Sequence, residues 1–98
     1  MSVRVPADLR DVINVALDDK DVRWGRDDPA LAAKYGGDIA RWARALREEA
    51  IDTRVDWKRE TAMDEGIGQI NARCERDYPW LTKGARGSLV QAFIMTWK

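Results

Sequence analysis

The side chains that usually perform catalysis near neutral pH are scarce in this sequence. It contains no histidine and a single cysteine, Cys74. Without histidine the commonest general base and metal ligand is missing, so serine triads, cysteine–histidine pairs and ordinary zinc sites are not expected. Cys74 falls on the apolar stripe of a helical pattern, which makes it a small buried hydrophobe rather than a reactive thiol. The acidic cluster Asp18, Asp19, Asp21, Asp27 and Asp28 has the oxygen chemistry of a hard-cation site. Counted from Asp19, however, the fifth loop position is Arg23 and the sixth is Trp24, where a calcium loop needs an oxygen ligand and a glycine. Lys20, Arg23 and Arg26 neutralise the cluster further, so a solvated, ion-paired loop is expected. Gly36, Gly37, Gly66 and Gly68 match neither a phosphate-binding loop nor a dinucleotide fingerprint. No catalytic, cofactor-binding or metal-binding residue is expected, and the chain reads as a non-enzyme.

Charge says as much about partners. Seventeen Lys and Arg balance seventeen Asp and Glu in 98 residues. The balance is also local: five positive against seven negative side chains in residues 1–28, seven against six in 29–60, and five against four in 61–98. No segment has the cationic excess that neutralising a phosphate backbone requires, so nucleic acid is disfavoured as a partner. The one stretch resembling a cationic surface is Arg41, Arg44, Arg47, Arg54, Lys58 and Arg59, and acids interrupt it at helix-neighbour spacings. It supports the alternative function, a nucleic-acid-associated helical accessory domain. The longest apolar run, Ala92 to Met95, is far shorter than the roughly 20 residues that span a bilayer, so no membrane partner is expected. One cysteine and the lack of a signal-peptide pattern make the cytoplasm the expected location.

The elements follow from apolar spacing. Leu9, Val12, Ile13, Ala16 and Leu17 predict a first amphipathic helix between Pro6 and Asp18. A polar connection with Trp24 and Gly25 leads to Asp28-Pro29, a helix start that combines a capping carboxylate with a preset φ. Gly36 and Gly37 stop that second helix after Tyr35, and Asp38 is placed to cap a third carrying Ile39, Trp42, Ala43, Leu46 and Ala50 on one face. A change of axis is required between Ile51 and Ala62, because Met63, Ile67, Ile70 and Cys74 are out of phase with Trp42 and Leu46. Thr61 with Asp64 forms an acidic variant of the capping box for the fourth helix. Gly66 and Gly68 weaken it and point to close helix contact or local mobility. Pro79 ends it after Tyr78, and Thr82 can cap a fifth. The expected fold is an all-α, compact single-domain bundle of four or five helices over residues 1–98, with the last helix central.

The stretch from Gly87 to Trp97 has no charge at all, in a chain where 35% of residues are charged. Leu89, Val90, Phe93, Ile94 and Trp97 are expected on its core arc; Ser88, Gln91, Ala92, Met95 and Thr96 fall on the other. A neutral outer arc is unusual for a solvent face, and it is the strongest sign of a partner. Trp42 and Trp97 are in phase with core stripes, whereas Trp24, Trp57 and Trp80 lie in or beside breaks and are expected to plug the bundle ends. The leading function is a small non-enzymatic protein–protein interaction module that binds another protein or a second copy of itself. Its candidate interface is Trp80, Ser88, Gln91, Ala92 and Met95. In size and independence it is of the type of small bacterial immunity proteins and phage-encoded inhibitors, a likeness of kind without a shared motif.

Overall fold

The computed structural model describes residues 3–20 and 28–97, the side chain of Asp28 excepted. The connection with Trp24 and Gly25, the residues Asp21 and Asp27, and the capping carboxylate of Asp28 lie outside this description. A 3-10 turn, Ala7–Leu9, runs into α1 (Arg10–Leu17); α2 (Asp28–Tyr35), α3 (Gly37–Ile51), α4 (Ala62–Asp77) and α5 (Lys83–Trp97) follow. The described residues contain no strand. The architecture is the all-α bundle that the apolar spacing predicts. None of its helices is long and apolar enough to cross a membrane, among the described residues.

Each boundary has a local cause. Gly36 has φ +94°, the one positive φ among the described residues, and this lets the chain turn from α2 straight into α3. Asp38 does not cap α3; it sits inside the first turn and pairs with Arg41 at 2.7 Å, both side chains exposed. The expected box of Thr61 with Asp64 does not form either. Thr61 has near-helical dihedrals (φ −91°, ψ 10°) instead of the extended geometry of a cap, and its hydroxyl donates to Glu65 Oε1 at 3.1 Å. Thr82 does cap α5, its Oγ1 accepting from Ala85 N at 3.2 Å.

The core runs through Ile13, Leu17, Leu31, Leu46, Ile70, Tyr78, Leu89 and Phe93, all of them buried. α5 is the hub: α1, α3 and α4 pack on it, and α2 is held against α3. α4 and α5 are antiparallel, as two contacts show. Gly66 faces the Phe93 ring, and Arg86 reaches Glu75 at 3.6 Å. A methyl group on Gly66 would lie 2.6 Å from Phe93 Cε2 and 3.2 Å from Val55 Cγ1, so this glycine is where the helices approach closely. Gly68 would meet nothing within 4 Å and plays no such part.

Candidate protein-docking face

Three polar clusters hold the helices, and each has a structural role. Asn14, buried on α1, closes a two-point clamp on the α4–α5 loop. Its Nδ2 donates to Trp80 O at 3.0 Å and its Oδ1 accepts from Thr82 N at 2.9 Å. Tyr78 OH donates to Glu49 Oε1 at 2.7 Å and accepts from Val3 N at 2.7 Å, tying the N-terminal segment to α3 and the end of α4. Burial, and then the Glu49 carboxylate, push the Tyr78 phenol well above its ordinary range. Arg73 Nη1 extends this cluster to Glu49 O at 3.3 Å and Thr53 Oγ1 at 3.2 Å. Asp19, with its side chain 7% exposed, accepts from Lys34 Nζ at 2.6 Å and from Tyr35 OH. That bond to Asp19 raises the Tyr35 pKa, with desolvation adding to it. Cys74 is 2% exposed and its thiol is pushed up by burial, which keeps it protonated, as expected of a packed hydrophobe. Among the described residues no group of three or more metal-ligating side chains comes together.

Of the cationic stretch, Arg44, Arg54 and Lys58 are exposed and the other three are buried or paired. Arg47 is buried, Arg41 pairs with Asp38, and Arg59 pairs with Glu65 at 3.0 Å.

The five predicted interface residues are divided. Met95 is 67% exposed and Gln91 is exposed, so both stay on the outer face of α5. Ser88 is half-buried. Ala92 belongs with the core instead: α5 is packed on three sides, and its buried arc of Ala85, Leu89, Ala92 and Phe93 is turned toward the small residues that admit close neighbours. The same rotation brings Trp97 out of the core, 46% exposed, with Nε1 donating to Ile51 O at 2.8 Å. Trp80 is remote from Met95. It precedes α5, and twelve residues of helix from Lys83 to Met95 span about 18 Å. It is half-buried, edge-on to Tyr78 at 6.3 Å and beneath the Arg10 guanidinium at 5.3 Å, so it plugs the end of the bundle. Trp57 is 45% exposed and lies over Phe93 at 5.9 Å and Trp97 at 5.6 Å. Trp42 is half-buried, and Trp24 is outside the described residues.

The spacing on α5 alone gives no sign of a row of residues on α4 beside this face. Gln69 and Arg73 mark the flank of α4 that bonds to Arg54 O and to the end of α3. The opposite flank starts at Glu75, which reaches Arg86, and steps back by fours to Asn71 and Ile67. Arg86 steps forward by fours to Val90 and Ile94 on α5. Asn71, Ile67, Val90 and Ile94 are all half-buried, and the three apolar ones pack against the core. Gly68, Ala72, Gly87 and Gln91 are exposed and uncharged. Ile67 is in phase with the apolar stripe of α4, and the antiparallel pairing with α5 sets the Glu75 flank of α4 against the Arg86 flank of α5. Comparison of the chain with protein-family models, with curated proteins and with solved structures finds no match.

Proposed function

We propose that this chain is a non-enzymatic protein–protein interaction module whose docking face is the outer side of α5 with the adjoining flank of α4. The observation that carries the reading is Met95, 67% exposed at the end of a helical face that has no charge from Gly87 to Trp97. Solvent faces of helices ordinarily alternate charge; a face without it can be covered without stranding an ion, which would cost several kcal/mol. In the Arg41–Arg59 stretch Arg47 is buried and Arg41 and Arg59 pair with acids, which weakens the case for nucleic acid.

The test is site-specific photo-crosslinking in cells, with the reactive side chain placed at Met95 or, as a control at another exposed position, at Ala33 on α2. Protein adducts at position 95 and none at 33 are expected. Equal labelling at the two positions, or none at 95, would remove the basis for this reading. A salt titration of any complex found provides a second check, because phosphate contacts weaken steeply with salt and an apolar interface does not.

A further inference from the structure

We propose that α2 is a latched flap: it opens as a unit while α1, α3, α4 and α5 stay folded, with the Asp19 carboxylate as its latch and Gly36 as its hinge. The device is independent of the outer face of α5.

The packing sets α2 apart from the hub. α1, α3 and α4 pack on α5, whereas α2 lies against α3 and touches α1. Among the described side chains of α2 only Leu31 is fully buried, with Ala32 and Tyr35 half-buried. Eight residues are too few for a helix to persist in water by itself, so α2 is helical because it is docked. The rest of the bundle does not depend on it in return. When α2 leaves, α3 keeps its packing on α1 and α5, and those helices keep theirs.

The polar attachment converges on one group. Asp19, with its side chain 7% exposed, accepts from Lys34 Nζ at 2.6 Å and from Tyr35 OH, neighbours in the last turn of α2. Its own backbone is tied to α1, Asp19 N donating to Ala16 O at 3.3 Å. One carboxylate just past the end of α1 therefore grips the last turn of α2 at two points. A carboxylate held out of water depends on its donors, so losing one of them with α2 still in place is costly. Once α2 lifts, water replaces both donors together, which gives the latch two states.

The hinge is local. Gly36 N donates to Ala32 O at 2.8 Å and Gly36 O accepts from Ala40 N at 3.1 Å, so this residue alone joins α2 to α3. Its φ of +94° belongs to the docked arrangement, and nothing lies within 4 Å of the position a Cβ would take, so the backbone can leave that φ without collision. Opening gives up the seat of Leu31, 1% exposed when docked, and bares an apolar site on α3 that the closed protein hides.

Native-state hydrogen exchange on the full chain tests it, read at the amides of Ala33, Lys34, Tyr35 and Gly36 against the slowest amides of α5. In wild type the α2 amides should be at least about a hundredfold less protected than those of α5, with a shallower dependence on sub-denaturing guanidinium, because a local opening exposes little surface. Asp19→Ala should lower the protection of all four α2 amides by a common factor of at least about ten. Phe93→Leu should lower protection in α5 and leave α2 within about threefold of wild type, since Phe93 stays packed while the flap is open. The same protection and slope in α2 and α5, no response of α2 to Asp19→Ala, a response confined to Tyr35 and Gly36, or equal losses in both helices for Phe93→Leu would each overturn the proposal.

Discussion

Substituting alanine at Gly66 and, separately, at Gly68 sets two opposing effects against each other on one helix. Both glycines lie inside α4, where glycine is worse than alanine by about 1 kcal/mol, so propensity alone predicts equal stabilisation. At Gly68 nothing lies within 4 Å of the new methyl group, and Gly68→Ala should stabilise by about 0.5–1 kcal/mol. At Gly66 the methyl would sit 2.6 Å from Phe93 Cε2, about 1 Å inside ordinary carbon–carbon contact. The Phe93 ring has no exposed surface and is backed by Trp57 at 5.9 Å, so it has little room to retreat. Overpacking typically costs about 1–3 kcal/mol; with little room for the ring the upper value applies, and subtracting about 1 for propensity leaves Gly66→Ala destabilised by about 2 kcal/mol. For a domain of this size that is a fall in Tm of roughly 8–16 °C, against a rise of roughly 2–8 °C for Gly68→Ala. Thermal melts followed by circular dichroism measure both. Phe93→Leu supplies the control: in that background the effect of Gly66→Ala should shrink by at least about 1 kcal/mol, since contacting residues couple. Equal shifts in the same direction for the two alanines, or no coupling to Phe93→Leu, would refute the close approach of α4 and α5.

Asn14→Ala should cost about 2–3 kcal/mol in urea unfolding, because it leaves Trp80 O and Thr82 N without their partner beside a packed loop. Tyr78→Phe should reduce the loss of stability at alkaline pH. The folded-state pKa of Tyr78 is raised, so its contribution is fully present below the ordinary tyrosine value of about 10 and is lost as pH rises toward the folded-state value. Denaturant midpoints of the variant should therefore fall less steeply above about pH 10 than those of wild type. Cys74 should react with a maleimide at least about a thousandfold more slowly in the native state than in denaturant, since labelling requires an opening of the core. Met95→Lys should change stability by less than about 0.5 kcal/mol, because the side chain it replaces is largely in solvent.

What was legible in the sequence follows from how local each cause is. Gly36, Pro79 and Thr82 act on their own few residues, and the helix limits they imply are those observed. The stripe Ile39, Ala43, Leu46 and Ala50 was also readable, because α3 buries one face. On α5 the spacing predicts a core arc of Leu89, Val90, Phe93, Ile94 and Trp97; Leu89 and Phe93 are buried and Val90 and Ile94 pack half-buried against the core, whereas Trp97 is 46% exposed and Ala85 and Ala92 are buried. Three neighbours surround this helix, so its buried arc is wider than a pattern of large apolar residues reveals. The spacing puts Val12 on the apolar stripe of α1, yet it is 41% exposed and Asn14 takes its share of the buried arc. A polar residue amid Ile13, Ala16 and Leu17 was a visible signal for the clamp, but its backbone partners are 66 and 68 residues away. Trp80 lies beside a break and Met95 on the neutral arc, so the sequence groups them as one candidate interface, and the axial rise of α5 separates them.

The docking face meets its most direct test in the methyl resonances of the three methionines, Met1, Met63 and Met95. Carbon-13 methionine-methyl spectra of the labelled protein are compared between dilute buffer and living cells. The Met95 resonance, on the exposed face of α5, should shift or broaden in cells relative to the half-buried Met63. A Met95 resonance that is the same in cells as in buffer, or that changes no more than Met63, would contradict the docking face.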